Sequence, residues 1–273
     1  MAKKRKENIQ NAVLVCIAIL FLLPLIWLVL ASVDLQATQS IKLPSNPTMK
    51  HFASVLGDEY IRKGFYSSFV LSGAQTVIVV VASIMAAYPL SRFRLKKAQN
   101  ITLMLLFLTA LPMIALMVPV YQMFILMGLV DSMVGTILFM SATALPYGIW
   151  MTKNFLDTVS IEIEEAAWID GASVVQSIRY VVMPLMLPGL MAVGIFTFVR
   201  SWGNFFIPFI LIQSQSKFPA AVKLYRFFDD RGGIDFGPLC AYSILYIMPA
   251  ILLYSLAQRY MSKGFALTGA AKG

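Results

Sequence analysis

Long apolar runs separated by short polar stretches dominate the chain. Six runs reach the roughly 17–25 residues needed to cross a hydrocarbon core. They lie near 11–33, 67–90, 101–127, 133–152, 186–212 and 239–258. The pattern predicts an all-α, polytopic membrane protein with six transmembrane helices in a single domain over 1–273. The first run exceeds the ~7–15 residues of a secretory signal core, and no small-residue cleavage site closes it. It is expected to remain as an uncleaved first span.

One polar, acid-bearing segment breaks the apolar pattern inside the loop 153–185. Residues 160–184 read SIEIEEAAWIDGASVVQSIRYVVMP, with Glu162, Glu164, Glu165 and Asp170, and Asp157 just upstream. Two short helices with a bend are expected. Ser160 is placed to cap the first, and its three glutamates sit near the positive N-terminal end. Gly171 tolerates the left-handed turn that ends it. The second helix covers 172–182 and is expected to stop at Pro184. Such a bent pair on a membrane protein is a docking surface.

The remaining polar stretches say less. The loop 34–66 is long and turn-like at PSNPTMKHF, with a surface helix expected over 49–62 and a solvated His51. Ala82, Ala86 and Ala87 in the second run allow close helix approach. Pro112 and Pro119 in the third run are expected to kink it. Its methionines (Met104, Met113, Met117, Met123, Met127) fit ordinary packing better than an adaptable wall. The loop 213–238 holds Asp229, Asp230 and Arg231, read as a solvated charge run or an external contact.

Composition agrees with the pattern. The chain is 59% hydrophobic and 13% charged, against roughly 45–50% and ~25% in soluble domains, and its mean hydropathy is +0.77. The net charge of +9 informs orientation, not nucleic-acid binding. With the N-terminus inside, thirteen Lys and Arg fall on inner segments and eight on outer loops, Arg200 being left within a span. The clusters KKRK and RFRLKK are short and adjoin spans, where the positive-inside bias acts most strongly. Both termini and the 153–185 loop are therefore expected to be cytoplasmic. The two cysteines, Cys16 and Cys240, give neither a disulfide framework nor a metal spacing. No GxxxxGK[ST], HExxH or GxSxG occurs. No catalytic site or cofactor is expected in this chain; if transport is powered by ATP, another subunit must bind it.

At the 160–184 loop the sequence resembles the EAA loop of bacterial ABC importer permeases, E-A-A-x3-G-x9-I-x-L-P. Glu165, Ala166, Ala167, Gly171 and Pro184 stand at that spacing, with Val181 in place of Ile and Met183 in place of Leu. AAYPLSRFRLKK, LPMIALMVPVYQMFILMGLVDS, EEAAWIDGAS, SWGNFFIPF and the KGFALTGAAKG tail are similar to the carbohydrate branch, the maltose- and glycerol-phosphate-type permeases. Departures are Ser160 where that branch usually has Pro, Gly203 where Asn is frequent, and Ser67 where Asn is common. The resemblance implies a permease of the bacterial or archaeal cell (inner) membrane that forms half of a sugar path. It implies a homologous second permease subunit, two ATPase subunits and an extracellular or periplasmic solute-binding protein as partners. It also implies that Glu165, Ala166, Ala167, Asp170 and Gly171 couple to the ATPase.

A second group rests on spacing. Thr197, Arg200, Ser201 and Asn204 follow i, i+3, i+4, i+7 and would share one helix face. A charge there costs at least ~2.5–3.5 kcal/mol against lipid. The face is expected to line the translocation path, with a buried interhelical cluster as the competing reading. An ion-coupled secondary transporter or channel is the alternative function. Against it, none of the six runs contains Asp or Glu for a proton relay.

Overall fold

The computed structural model describes residues 2–93, 95–228 and 233–270. Arg94, Asp229, Asp230, Arg231 and the last three residues, to which the sequence reading assigned orientation, loop or tail roles, lie outside them. The described residues form helices and isolated bridges, with no strand. The helices are α1 Ala2–Ser32, α2 Lys50–Gly57, α3 Glu59–Arg92, α4 Ala98–Thr109, α5 Met113–Leu126 and α6 Met133–Leu156. They continue with α7 Ile161–Ile169, α8 Val174–Ser177, α9 Met183–Trp202, α10 Phe206–Leu211, α11 Ala220–Lys223 and α12 Phe236–Ala270. The C-terminal tail continues α12 as far as Ala270.

Among the described residues, five stretches are long and apolar enough to cross a membrane: Gln10–Ser32, Glu59–Arg92, Met133–Leu156, Val174–Trp202 and Phe236–Leu256. The expected span at 101–127 is instead the pair α4 and α5, bent by 89° at the break, and counting it as one span gives six. Pro112 causes the break. It sits at the N-cap of α5 in an extended conformation, lacks an N–H, and disfavours helical geometry in Leu111 before it. Pro119 lies inside α5 without ending it.

The fifth span differs most from expectation. It begins at Val174 rather than near 186, because Pro184 does not end the second loop helix. Residues Ile178–Val182 form a π-helical turn, in which the Met183 N–H bonds the carbonyl of Ile178. Widening the turn by one residue removes the need for the i−4 bond that Pro184 cannot make. At its other end the helix stops at Trp202, ten residues short of the expected boundary, and α10 follows as a separate short helix.

By packing, the chain divides into two compact units, 1–62 with 223–248 and 63–222 with 249–273. In the first, the expected surface helix over 49–62 is interrupted at Asp58, and its latter part belongs to α3. The Asp58 carboxylate accepts from the Tyr60 and Ile61 N–H groups at 2.8 and 3.3 Å and pairs with Arg226. His51 is not simply solvated: its Nε2 lies 3.1 Å from the Asp34 carbonyl, and the ring packs directly on Gly237. Lys223 is buried, with Nζ 2.5 Å from the Tyr60 carbonyl and 3.9 Å from the ring centre of the same residue.

The second unit holds two apolar clusters. Leu71, Met117, Phe124, Ile137, Met140, Ile207 and Leu211 join α3, α5, α6 and α10. Tyr88, Leu156, Val182, Met186 and Leu190 join α3, α6, the π-turn and α9 beneath the 157–182 loop. Of the methionines in the third run, Met117 is core, while Met104, Met123 and Met127 are exposed. Lipid supplies no hydrophobic drive between helices, so close approach through small residues matters. Ala87 is fully buried as expected, but the tightest approaches are elsewhere. Gly148 of α6 faces Ser83 and Val79 of α3, and Gly189 of α9 faces the Phe155 ring.

The α5–α6 turn is clamped to the chain after α10. Asp131 has a left-handed backbone, φ +62°. Its carboxylate accepts from the Gln213 and Ser214 N–H groups (3.0 and 2.9 Å), the Ser214 hydroxyl (2.6 Å) and Lys217 Nζ (2.7 Å). These bonds, Lys217 foremost and Ser214 next, hold the carboxyl far below the usual carboxylate range.

Two predictions arise from this packing. A Cβ on Gly189 would lie 2.6 Å from the Phe155 ring, whereas one on Gly73 meets nothing within 4 Å. Gly189→Ala should cost about 1–3 kcal/mol by overpacking and lower the unfolding midpoint in detergent, while Gly73→Ala leaves it unchanged or higher. Equal midpoints for the two variants would contradict the packing. For Asp131, a depressed folded pKa means stabilisation present above the unfolded value of ~3.9 and lost as pH falls through the folded one. Asp131→Asn keeps a residue that tolerates the left-handed backbone. It should therefore be less stable than the parent at pH 7, with the gap closing as the pH drops below about 4. A gap independent of pH would remove the charge from the explanation.

Candidate functional site

The polar loop after α6 begins with charged anchors. Lys153 pairs with Asp157 at 2.6 Å, and the Ser91 hydroxyl donates to Asp157 at 2.5 Å. Ser160 caps α7, its hydroxyl oxygen accepting from the Glu162 N–H at 3.3 Å. Glu162 and Glu164 lie in the first turn, where the helix dipole favours acids.

Glu164 turns inward and is 1% exposed. Arg92 Nε donates to its Oε2 at 2.8 Å, and the Tyr88 hydroxyl donates to Oε1. The Arg92 side chain is itself 3% exposed, and its Nη2 donates to the Val159 carbonyl at 3.0 Å. One arginine at the end of α3 thus holds both the approach to α7 and its first turn. Sequence reasoning missed this trio. RFRLKK was weighed for orientation and family resemblance and not for a partner, and Glu164 was read only as one of the glutamates near the helix start. The available signal was a basic residue at a span end matched to an acidic helix start.

The residues predicted to couple lie outward. Glu165, Ala166 and Asp170 are exposed and Ala167 is half-buried. Gly171 has φ +91°. The Gly171 N–H bonds the Trp168 carbonyl and the Ala172 N–H bonds the Ala167 carbonyl, both at 3.0 Å, a Schellman ending for α7. Ser173 then opens α8 with a reciprocal capping box to Gln176. The bend leaves apolar side chains open on α7 and at the start of the Val174–Trp202 helix. Ile169 is 86% and Val175 73% exposed, with Ile163, Trp168, Val174 and Tyr180 also open.

The stripe predicted on the fifth span is split. Thr197 and Ser201 are buried within the unit, the Thr197 hydroxyl donating to the Val193 carbonyl at 2.8 Å. Asn204 lies beyond the end of α9, and its side-chain oxygen accepts from the Ile207 N–H at 3.1 Å at the start of α10. The four residues cannot share one helix face, because the helix stops at Trp202. Arg200 is exposed, with its guanidinium 5.6 Å from the centre of the Phe196 ring. Pro208 lies inside α10 rather than bending the fifth span.

The family described as "Binding-protein-dependent transport system inner membrane component" matches residues 78–266, which include this loop. The inner membrane ABC transporter permease protein YcjP of Escherichia coli K12 is 30% identical over 237 residues, covering 85% of this chain and 82% of that protein. The trehalose transport system permease protein SugB of Mycobacterium tuberculosis is 28% identical over 260 residues, covering 92% and 93%. A chain in the crystal structure of a bacterial ABC transporter importing the acidic polysaccharide alginate shares the fold. Its TM-score is 0.81 at 22% identity, over 95% of this chain and 98% of that one.

Breaking a buried ion pair leaves one charge unpaired and costs about 3–5 kcal/mol, whereas replacing both partners is often near neutral. Glu164→Leu and Arg92→Leu should each loosen the loop, seen as faster proteolysis between 157 and 173 and a lower unfolding midpoint. The double variant should recover much of the loss. Strictly additive losses would show that the two side chains do not act on each other.

Proposed function

This chain belongs to the binding-protein-dependent transport system inner membrane component family, and on that premise we propose that it is one permease subunit of an ATP-binding-cassette importer for a sugar, oligosaccharide or sugar derivative. A homologous second permease completes the path. Two ATPase subunits bind ATP and Mg, and an external solute-binding protein delivers the cargo. Both termini and the 153–185 loop face the cytoplasm in this reading. The trehalose and alginate functions of the relatives, and the sugar-permease stretches in the sequence, support the substrate class.

The observation that carries the coupling role is the contrast within α7 and α8. The side that meets the rest of the chain is fixed through Glu164, Tyr88 and Arg92. The other side offers Ile169 and Val175 to a partner. Glu165, Ala166, Ala167 and Asp170 accompany that open side, the small alanines allowing close approach. A displaced loop would carry α3 with it through Arg92. It would carry α9 through the uninterrupted helix from Val174 to Trp202. The far end of that helix brings Arg200 into the path, with Phe196 beside it. Thr197, Ser201 and Asn204 contribute to that end from within the packed unit and the α10 turn.

The test exploits the backbone at Gly171. A Cβ there meets no neighbour, so any penalty comes from the left-handed φ alone. Gly171→Val should insert in the membrane yet lose cargo-stimulated ATP hydrolysis, while Gly171→Asn, which tolerates that backbone, retains most of it. In parallel, uptake into vesicles should require ATP and survive collapse of the proton gradient. Uptake that follows the gradient and ignores ATP would overturn the reading.

A further inference from the structure

We propose that Arg200, Phe196 and Tyr147 form a subsite for an acidic sugar, a glycoside bearing a carboxylate or phosphate; this rests on reading the Arg200 end of α9 as part of the path. Tyr147 and Phe196 stack across α6 and α9 with ring centres 4.8 Å apart and planes 28° from parallel. Trp150 extends the aromatic surface, 5.6 Å from Tyr147. Tyr147 is the fifteenth of 24 residues in α6 and Phe196 the twenty-third of 29 in the Val174–Trp202 helix, so the stack lies toward the end of the fifth span away from the loop. Arg200 lies one turn beyond Phe196 and leans back over its ring, at 5.6 Å, as helical side chains do.

The charge state of this patch selects its occupant. Among the described residues no carboxylate reaches Arg200 within ion-pair distance. The Tyr147 hydroxyl likewise makes no hydrogen bond to another described residue. An unpaired guanidinium turned toward hydrocarbon is costly, so the face meets water or protein. The guanidinium over Phe196 is exposed, and its planar fork is the group that grips a carboxylate or phosphate with two bonds. The aromatic surface suits the apolar C–H face of a pyranose, and the Tyr147 hydroxyl suits a ring hydroxyl. Apolar walls with a few placed polar groups are the usual composition of small-molecule sites.

The experiment uses the full chain co-expressed with its partner subunits and reconstituted in lipid nanodiscs. Methyl β-D-glucuronide and methyl β-D-glucoside, which differ by one carboxylate, are titrated by saturation-transfer NMR, with glucose 6-phosphate as the phosphate arm. A charge-assisted bond contributes about 1.5–3 kcal/mol, so an acidic probe should bind about tenfold or more tightly than the glucoside. The tighter of the two acidic probes identifies the acid group. Arg200→Gln should erase this preference and leave the glucoside unchanged, while Phe196→Leu weakens all probes. No acid preference in the parent, or one that survives Arg200→Gln, overturns the proposal. So does Arg200→Gln failing only in retention of the second permease.

The underlying path reading has its own readout. Phe196→Cys and Arg200→Cys, in a background with Cys16 and Cys240 replaced by serine, are treated with an aqueous thiol reagent with and without ATP. Labelling at both without an acid preference removes the acidic-sugar assignment and keeps the path. Protection at both in every nucleotide state removes the path and the subsite together.

Discussion

The ion pair between Arg92 and Glu164 is the constraint on which the arrangement of the loop depends. It joins two helix ends of opposite polarity. Arg92 closes α3, where backbone carbonyls leave partial negative charge, and Glu164 opens α7, where free N–H groups leave partial positive charge. Each side chain is therefore favoured by its own helix before the two meet. Tyr88 occupies the second carboxylate oxygen, and the Val159 carbonyl accepts another guanidinium N–H, so the pair is hydrogen-bonded at both ends. Desolvation makes such a pair a weak source of stability compared with apolar packing. Its effect is positional. An apolar contact would permit α7 to slide or rotate, whereas directional bonds at 2.8 and 3.0 Å specify where its first turn sits relative to α3.

The π-turn has a similar role on the other side of the loop. A proline within the fifth span would ordinarily end or sharply kink it. The i−5 bond from Met183 to Ile178 lets the helical path continue through Pro184. The loop is consequently built into two long helices. It ends α3 by side-chain bonds and begins the fifth span by an unbroken backbone. Between α7 and α8 the chain leaves helical geometry at the Gly171 corner, and there the Schellman bonds satisfy freed carbonyls.

Much of this was legible in the sequence where a local rule applied. Hydrophobic run length located the membrane helices, and Ser160 and Gly171 marked the limits of α7 through capping and left-handed backbone chemistry. The Pro112 break was foreseen as a kink, but its 89° size was not, since bend angle depends on what the freed backbone packs against. Pro184 was misread because a π-turn has no composition of its own. The shared helix face stops short of Asn204 for a related reason: residue spacing gives a helix face only if the helix persists, and Gly203 ends it. The Arg92–Glu164 pair joins residues 72 positions apart, and three neighbouring glutamates offered no local way to choose the one that turns inward.

The helix from Val174 to Trp202 relates the two functional regions. Its 29 residues span about 43 Å at 1.5 Å per residue, long enough to connect the exposed loop with the Arg200 patch. A regular helix resists compression because every intervening residue is tied by backbone bonds, so motion imposed at one end arrives at the other as translation or tilt. The π-turn is the soft point, since its wider ring has poorer bond geometry. It lies on the loop side of Gly189, whose contact with Phe155 holds α9 against α6. Beyond that contact, Phe196 stacks on Tyr147 of the same α6 neighbour. A tilt about the Gly189 contact would therefore alter the Phe196–Tyr147 overlap and the reach of Arg200 without breaking the helix. In the proposed importer, this is how events at the loop would change the grip on cargo at the other end of the span.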